Sequence, residues 1–163
     1  MDSVLGSEPS TPGDARSAAP LACRFDGLIR PVPSDTPMAI LGIESTAHTA
    51  SVGIVSESAE VLAITSDMYR PPRGGIHPRE AANHHVEFLP GLVERALDAA
   101  HLGPKDLEAI AFAQGPGLGP CLRAGATVAR TLSLAWDLPL VPVNHCVAHV
   151  EIARVLSGLD DPL

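Results

Sequence analysis

Apolar residues along the chain gather into short blocks separated by Gly, Pro, Ser and charged positions, and the period of the blocks changes with position. Ala39 to Ile43 is a short apolar run that ends at Glu44. Ser51 to Ser56 and Glu60 to Thr65 are two further runs of strand length, joined across Glu57, Ser58 and Ala59. They predict a meander or hairpin pair. Pro71, Pro72, Gly74 and Gly75 then exclude regular structure. From Arg79 to Ala100 the period lengthens: Ala82, Val86, Leu89, Val93, Ala96 and Leu97 recur near helical spacing. Pro78 suits the first helical turn, where its missing N–H costs nothing, and Pro90 with Gly91 predicts a kink further along. Leu107 to Ala113 is a fourth strand and Gly115 to Pro120 a turn. Leu122 to Trp136 is a helix rich in small residues, and Leu140 to Val143 a fifth strand. A last helix opens at Asn144 or His145 and runs to about Leu156.

The predicted order is three strands followed by alternating helix and strand. That order is the one of a ribonuclease-H-like α/β domain, a mixed five-stranded sheet with flanking helices. A doubly wound Rossmann-like sheet is the runner-up. It alternates strand and helix from its start, so the adjacent early strands count against it. Residues 1 to 37 differ from the rest. They carry Pro9, Pro12, Pro20, Pro31, Pro33 and Pro37 and show no clean period. Two readings stand side by side, a disordered leader and a mis-assigned start with Met38 as the true first residue.

Composition narrows the function classes. The 163 residues carry 19 acidic and 11 basic side chains, a formal net charge of -8, which argues against a surface coated in nucleic-acid-binding charge. A basic partner subunit remains compatible with it. Three widely spaced cysteines, Cys23, Cys121 and Cys146, form neither a disulfide scaffold nor a CxxC zinc ribbon. No apolar run is long enough to span a bilayer, and no secretory signal opens the chain. A cytoplasmic protein without membrane association is the expectation.

Four segments hold candidate chemistry. His145 and His149 stand four apart on a helix, so both imidazoles lie on one face and can reach one metal ion. A zinc peptidase of the HExxH type would carry Glu directly after the first His; here it is Cys146. Two capping or core histidines that bind nothing are the plainer alternative. Gly115-Pro116-Gly117-Leu118-Gly119-Pro120 joins a strand to a helix, with glycines for close backbone approach and a helix N-terminus for an anion. It matches neither a P-loop nor a dinucleotide fingerprint. Glu44, Ser45 and Thr46 end the first strand; an acidic residue followed by hydroxyls there suits a phosphate or metal neighbourhood, and a surface hairpin with a polar turn would look the same. His77 and Arg79, at a loop–helix junction, and Arg123 and Arg130, seven apart on a helix, are possible ligand or partner contacts.

Taken together, Gly42 to Ala47, Gly74 to Ala82, Gln114 to Pro120 and Val143 to Ile152 resemble one family in residue type and order. It is the tRNA N6-adenosine threonylcarbamoyltransferase family, formerly called O-sialoglycoprotein endopeptidase. The archaeal and eukaryotic branch, the catalytic subunit of the KEOPS complex, is the nearer match. The resemblance runs from Met38 to Leu163.

The resemblance implies the N-terminal ribonuclease-H-like half of an actin- and Hsp70-like ATPase fold. It implies an acyltransferase that moves the threonylcarbamoyl group of threonylcarbamoyl-adenylate onto N6 of adenosine 37, in tRNAs reading codons that begin with A. His145 and His149 would bind Fe2+ or Zn2+, one ion per full-length subunit. Glu44, Ser45, Thr46, Gly115, Pro116, Gly117 and Gly119 would line a cleft for an adenine nucleotide or the adenylate. The implied partners are tRNA, an atypical small protein kinase-like subunit and small KEOPS-type subunits. Family members are considerably longer, and the second half would bring an aspartate ligand, a metal-site tyrosine and further glycine-rich loops. Ser157 to Leu163 therefore reads as the start of a linker, the chain as a fragment or truncated gene, and the fragment alone as inactive. An actin-like ATP-binding regulatory module and a metallopeptidase are the alternatives. Sugar-kinase and chaperone relatives lack the His pair, and the missing Glu disfavours the peptidase.

Overall fold

A computed structural model of the chain describes residues 39–158. The expected leader over 1–37, the alternative start at Met38 and most of the expected C-terminal linker lie outside them. The elements follow the expected order: β1 (Ala39–Glu44), β2 (Thr49–Ser56), β3 (Val61–Met68), α1 (Pro78–Ala100), β4 (Leu107–Gly115), α2 (Gly119–Trp136), β5 (Leu140–Asn144) and α3 (His145–Ser157). A short 3-10 turn, Pro104–Asp106, leads into β4. Among the described residues no helix is long and apolar enough to cross a membrane.

The sheet order is β3-β2-β1-β4-β5. β1 and β3 each pair antiparallel with β2, while β4 pairs parallel with both β1 and β5. This is the mixed five-stranded sheet with flanking helices that the element order predicts, and it excludes the Rossmann alternative. β3 extends beyond the apolar run that marks it, because Ser66 and Asp67 continue an edge strand whose outer positions meet water.

The strand alternation of β1 and β2 decides where the core lies. Ala39, Leu41 and Ile43 of β1 and Ala50, Val52 and Ile54 of β2 point to one face and are buried. That face is covered by α1 and α2, which also pack on each other. α1 presents Leu89, Leu92, Val93, Ala96 and Ala100 to it. Each large side chain so buried removes enough apolar surface from water to contribute about 1.5–3 kcal/mol before entropy is counted. α1 continues unbroken through Pro90. α3 packs against β4 and β5 and has no buried residue.

Candidate functional site

The site begins at the end of β1. Ser45 and Thr46 are polar yet buried, so their hydrogen bonds must be made inside the protein. The Ser45 hydroxyl donates to the Cys121 carbonyl at 3.1 Å. The Leu118 N–H donates to the Thr46 carbonyl at 2.7 Å. The Thr46 N–H donates to Glu44 Oε1 at 2.7 Å, and the Thr46 hydroxyl donates to the same oxygen. Beyond Thr46, the Ala47 carbonyl lies 3.1 Å from Nε2 of the buried His85 on α1.

Two glycines explain how α2 and its entry loop approach so closely. A Cβ on Gly117 would lie 2.6 Å from the Thr46 carbonyl oxygen, and one on Gly125 only 2.0 Å from Ser45 Oγ. Any larger residue displaces the Glu44–Thr46 turn or the helix. Gly115 adopts φ +145°, open to glycine and strained for other residues. Pro116, Gly117 and Gly119 stay exposed beside the turn. The loop thus supports the turn from behind and leaves an exposed helix start next to it.

The second half of the site comes from α3. The Asn144 side chain caps this helix, accepting from the N–H groups of Cys146 at 2.9 Å and Val147 at 3.2 Å. The cap fixes the start of the helix, so His145 and His149 fall on the turn-facing side. Their Nε2 atoms lie 3.2 Å apart. His145 Nε2 is 3.4 Å from the Thr46 hydroxyl, and its Nδ1 is 3.8 Å from Glu44 Oε1. A cavity of about 660 Å³ opens between the two halves, lined by Glu44, Thr46, His48, His145, His149 and Ile152. A neighbouring, nearly apolar pocket of about 290 Å³ runs along Gly42, Gly53, Ile64, Phe112 and Ala113 to His145.

The imidazole spacing suits a metal ion. Two nitrogens bound about 2.0–2.1 Å from one tetrahedral ion are about 3.4 Å apart, close to the 3.2 Å found here. Among the described residues no group of three or more His, Cys, Asp or Glu side chains is placed to hold an ion. Glu44, whose Oε1 lies 3.8 Å from His145 Nδ1, already accepts from Thr46 through that oxygen. The pair can therefore supply two ligands of an incomplete set. Cys146 is exposed and takes no part in it.

The structure brings Glu44, Ser45, Thr46, His145 and His149 together, with Gly115 to Gly119 behind them. It does not bring in the four candidate contacts. Arg123 instead lines a separate groove between α1 and α2 with Asn83, Val86 and Thr127. Arg130, His77 and Arg79 are exposed and line none of these cavities. Sequence reasoning gave no role to Gly125 or His85. A glycine inside a helix was the available signal for Gly125; nothing in the sequence ties His85 to Ala47.

Comparison with known proteins places the chain in a family. The family model for tRNA N6-adenosine threonylcarbamoyltransferase matches residues 59–163. The chain belongs to this family. Threonylcarbamoyltransferases of the same name from Ignicoccus hospitalis and Caldivirga maquilingensis are each 60% identical, over 126 and 127 residues. Each match takes in 77% of this chain and 38% of the relative, so the chain spans under half the length of these relatives. A probable bifunctional tRNA threonylcarbamoyladenosine biosynthesis protein from Methanocaldococcus jannaschii is 52% identical over 77% of this chain and 23% of its own length. Among solved structures, YeaZ from Pseudomonas aeruginosa superposes with a TM-score of 0.55 at 21% identity, over 74% of this chain and 50% of that one. It shares the fold, a likeness of the sheet and its flanking helices.

Proposed function

We propose that residues 39–158 form one lobe of a tRNA threonylcarbamoyltransferase, and that the Glu44–Thr46 turn and the His145–His149 pair are its contribution to the reaction centre. The observation that carries the reading is the convergence of the two imidazoles over that turn, in a chain whose family is named for this transfer. The substrate is threonylcarbamoyl-adenylate and the acceptor is N6 of adenosine 37 in tRNAs reading codons that begin with A. The N6 nitrogen attacks the carbamoyl carbon, the bond to the adenylate phosphate breaks, and an N6 proton is released.

His145 and His149 would hold Fe2+ or Zn2+, whose charge would steady the carbonyl and phosphate oxygens. The chain's own contribution is rigidity. The turn is tied at Ser45, Thr46 and Ala47, so a ligand resting on it meets groups already in place. The exposed start of α2 presents the Gly119 N–H toward a phosphate. With its net charge of -8 the chain exerts no long-range pull on tRNA. tRNA capture is therefore assigned to the rest of the protein, to a kinase-like subunit and to small KEOPS-type subunits, in the cytoplasm. The peptidase alternative lacks the base that would activate water, since Cys146 stands where such enzymes carry Glu.

The test is a chimera. Residues 39–158 replace the matching segment of the Ignicoccus hospitalis relative, and labelled threonine is followed into tRNA at adenosine 37. The chimera should transfer, and His145→Ala within it should cost at least about 100-fold, the upper end of what even an outer partner of a metal ligand costs. A folded chimera without transfer, or an unaffected His145→Ala, would contradict the reading.

A further inference from the structure

Charge is unevenly spread over the two ends of the sheet. At the end where β1 begins stand Glu57 in the β2–β3 turn, Asp98 in the last turn of α1, Asp106 and Glu108 at the entry to β4, and Asp137 at the end of α2. At the other end, where β1, β4 and β5 finish at the candidate site, the segment from Tyr69 to Arg79 carries Arg70, Arg73, His77 and Arg79 and no acidic residue. Salt screens exposed charges beyond about 8 Å at physiological ionic strength. The net charge of -8 therefore governs approach from a distance, while a partner in contact meets the local sign.

The loop between β3 and α1 is tied beside the site at both ends. The Tyr69 N–H donates to the His48 carbonyl at 2.8 Å, and His48 lines the larger cavity. The Pro78 carbonyl accepts from Cys121 Sγ, in the first turn of α2, at 3.7 Å. Between these ties the loop stands clear. Its arginines are exposed, and among the described residues none of the three has an ion-pair or hydrogen-bond partner. A Cβ on Gly74 or Gly75 would meet nothing within 4 Å, so packing asks for neither glycine. Gly74 serves its φ of +74°. Gly75 has no such requirement, and without a side chain it leaves the backbone open to close approach from outside. Arg79 stands in the first turn of α1, where a cation opposes the helix dipole, so the fold gains nothing from its charge there.

We propose that the Arg70–Arg79 loop is the RNA-facing edge of this lobe, with Arg70, Arg73 and Arg79 taking backbone phosphates of the tRNA whose adenosine enters the candidate site. The choice of tRNA rests on the transferase reading above; the anionic polymer rests on the loop itself. A small anion needs a concave pocket, and this loop lines none of the cavities beside it. Exposed guanidinium groups along an open, uncovered backbone suit a ligand that repeats its charge, and each can grip one phosphate through two N–H groups. Pro71, Pro72 and Pro78 restrict the backbone between the arginines, which lowers the entropy lost on binding. The contact is one of placement: the loop meets RNA already delivered and sets it against the edge that holds His48 and the Glu44–Thr46 turn.

The test is an NMR titration of the 163-residue chain, labelled with nitrogen-15, against an RNA hairpin of anticodon-arm sequence containing adenosine 37, at several salt concentrations. Amide shifts should centre on Arg70 to Arg79 and reach His48. The Arg70→Gln, Arg73→Gln, Arg79→Gln triple variant should bind at least about 10-fold more weakly. The slope of log affinity against log salt should flatten by about 2, since each phosphate contact in a single strand contributes about 0.7. No binding at millimolar RNA, equal binding by the variant, shifts centred on the acidic end or the α1–α2 groove, or equally tight binding of a polyglutamate peptide would each overturn the proposal. The wild-type shift map decides this even if the variant does not fold. Loop binding in the chain beside a chimera that fails to transfer would refute the transferase reading alone; a chimera that transfers beside unaltered RNA binding by the triple variant would refute the loop alone.

Discussion

The two halves of the site are built in opposite ways. The Glu44–Thr46 turn lies against the covered face of the sheet, where Ser45 and Thr46 are buried and bonded and two glycines let α2 reach them. The histidine pair rides on α3, a helix with no buried residue, with Val147, Val150, Ile152, Val155 and Leu156 exposed. One half is held by packing that this chain supplies. The other is held by one asparagine cap and a few contacts with β4 and β5. The difference teaches that precision and burial need not coincide: the histidines converge because of their spacing along a capped helix, the turn because the space behind it is filled by α2.

Core truncation should show the largest contrast. Leu92→Ala, in a fully buried position of α1, should lower unfolding stability by about 2–5 kcal/mol. Leu156→Ala, at a position 56% exposed, should stay within about 0.5 kcal/mol. Chemical denaturation of both variants measures this, and equal losses would erase the contrast. Next comes Gly125→Ala. In an open helix the change would stabilise by up to about 1 kcal/mol. Here the new Cβ meets Ser45 Oγ at 2.0 Å, so a net loss of about 1–3 kcal/mol is expected, with shifted NMR signals at Ser45 and Thr46. A gain in melting temperature would show that the turn is not clamped.

Asn144→Ala probes the other half. Removing a cap that serves two N–H groups should cost about 1 kcal/mol and raise amide exchange at Cys146 and Val147, with the turn unaffected. Unchanged exchange there would mean that the cap does not hold α3. The smallest effect is the pH dependence. His85 binds its proton less readily folded than unfolded, through burial first and the adjacent His84 second. Its contribution to stability is therefore complete above the unfolded value of about 6.5. It is lost as pH falls below that value and through the lower folded one, at no more than about 1.4 kcal/mol per pH unit. His85→Gln should flatten that part of the stability curve; an unchanged curve would mean that His85 does not carry it.

Most of the architecture was legible because each element announces its period. The apolar alternation of β1 and β2 and the helical recurrence in α1 put the strands, the helices and their order where they are found. Edges were less legible. β3 runs on to Met68 through Ser66 and Asp67, since an edge strand needs no apolar partner on its open side. The histidine pair was visible from its spacing, and the turn from hydroxyls closing a strand. For the arginines, position along a helix says which residues share a face, but not which cavity that face meets, and Arg123 meets the α1–α2 groove. Long-range ties such as Gly125 to Ser45 and His85 to Ala47 depend on how separate elements stack, which no local pattern encodes.

Zinc titration tests the two-part site most directly, comparing wild type with the His145→Ala, His149→Ala double variant. Two imidazoles 3.2 Å apart, with no third ligand among the described residues, should give the wild-type chain weak binding of one ion. The double variant should lose it while keeping its fold, because α3 buries none of its side chains. Equal zinc uptake by the two proteins would contradict the site.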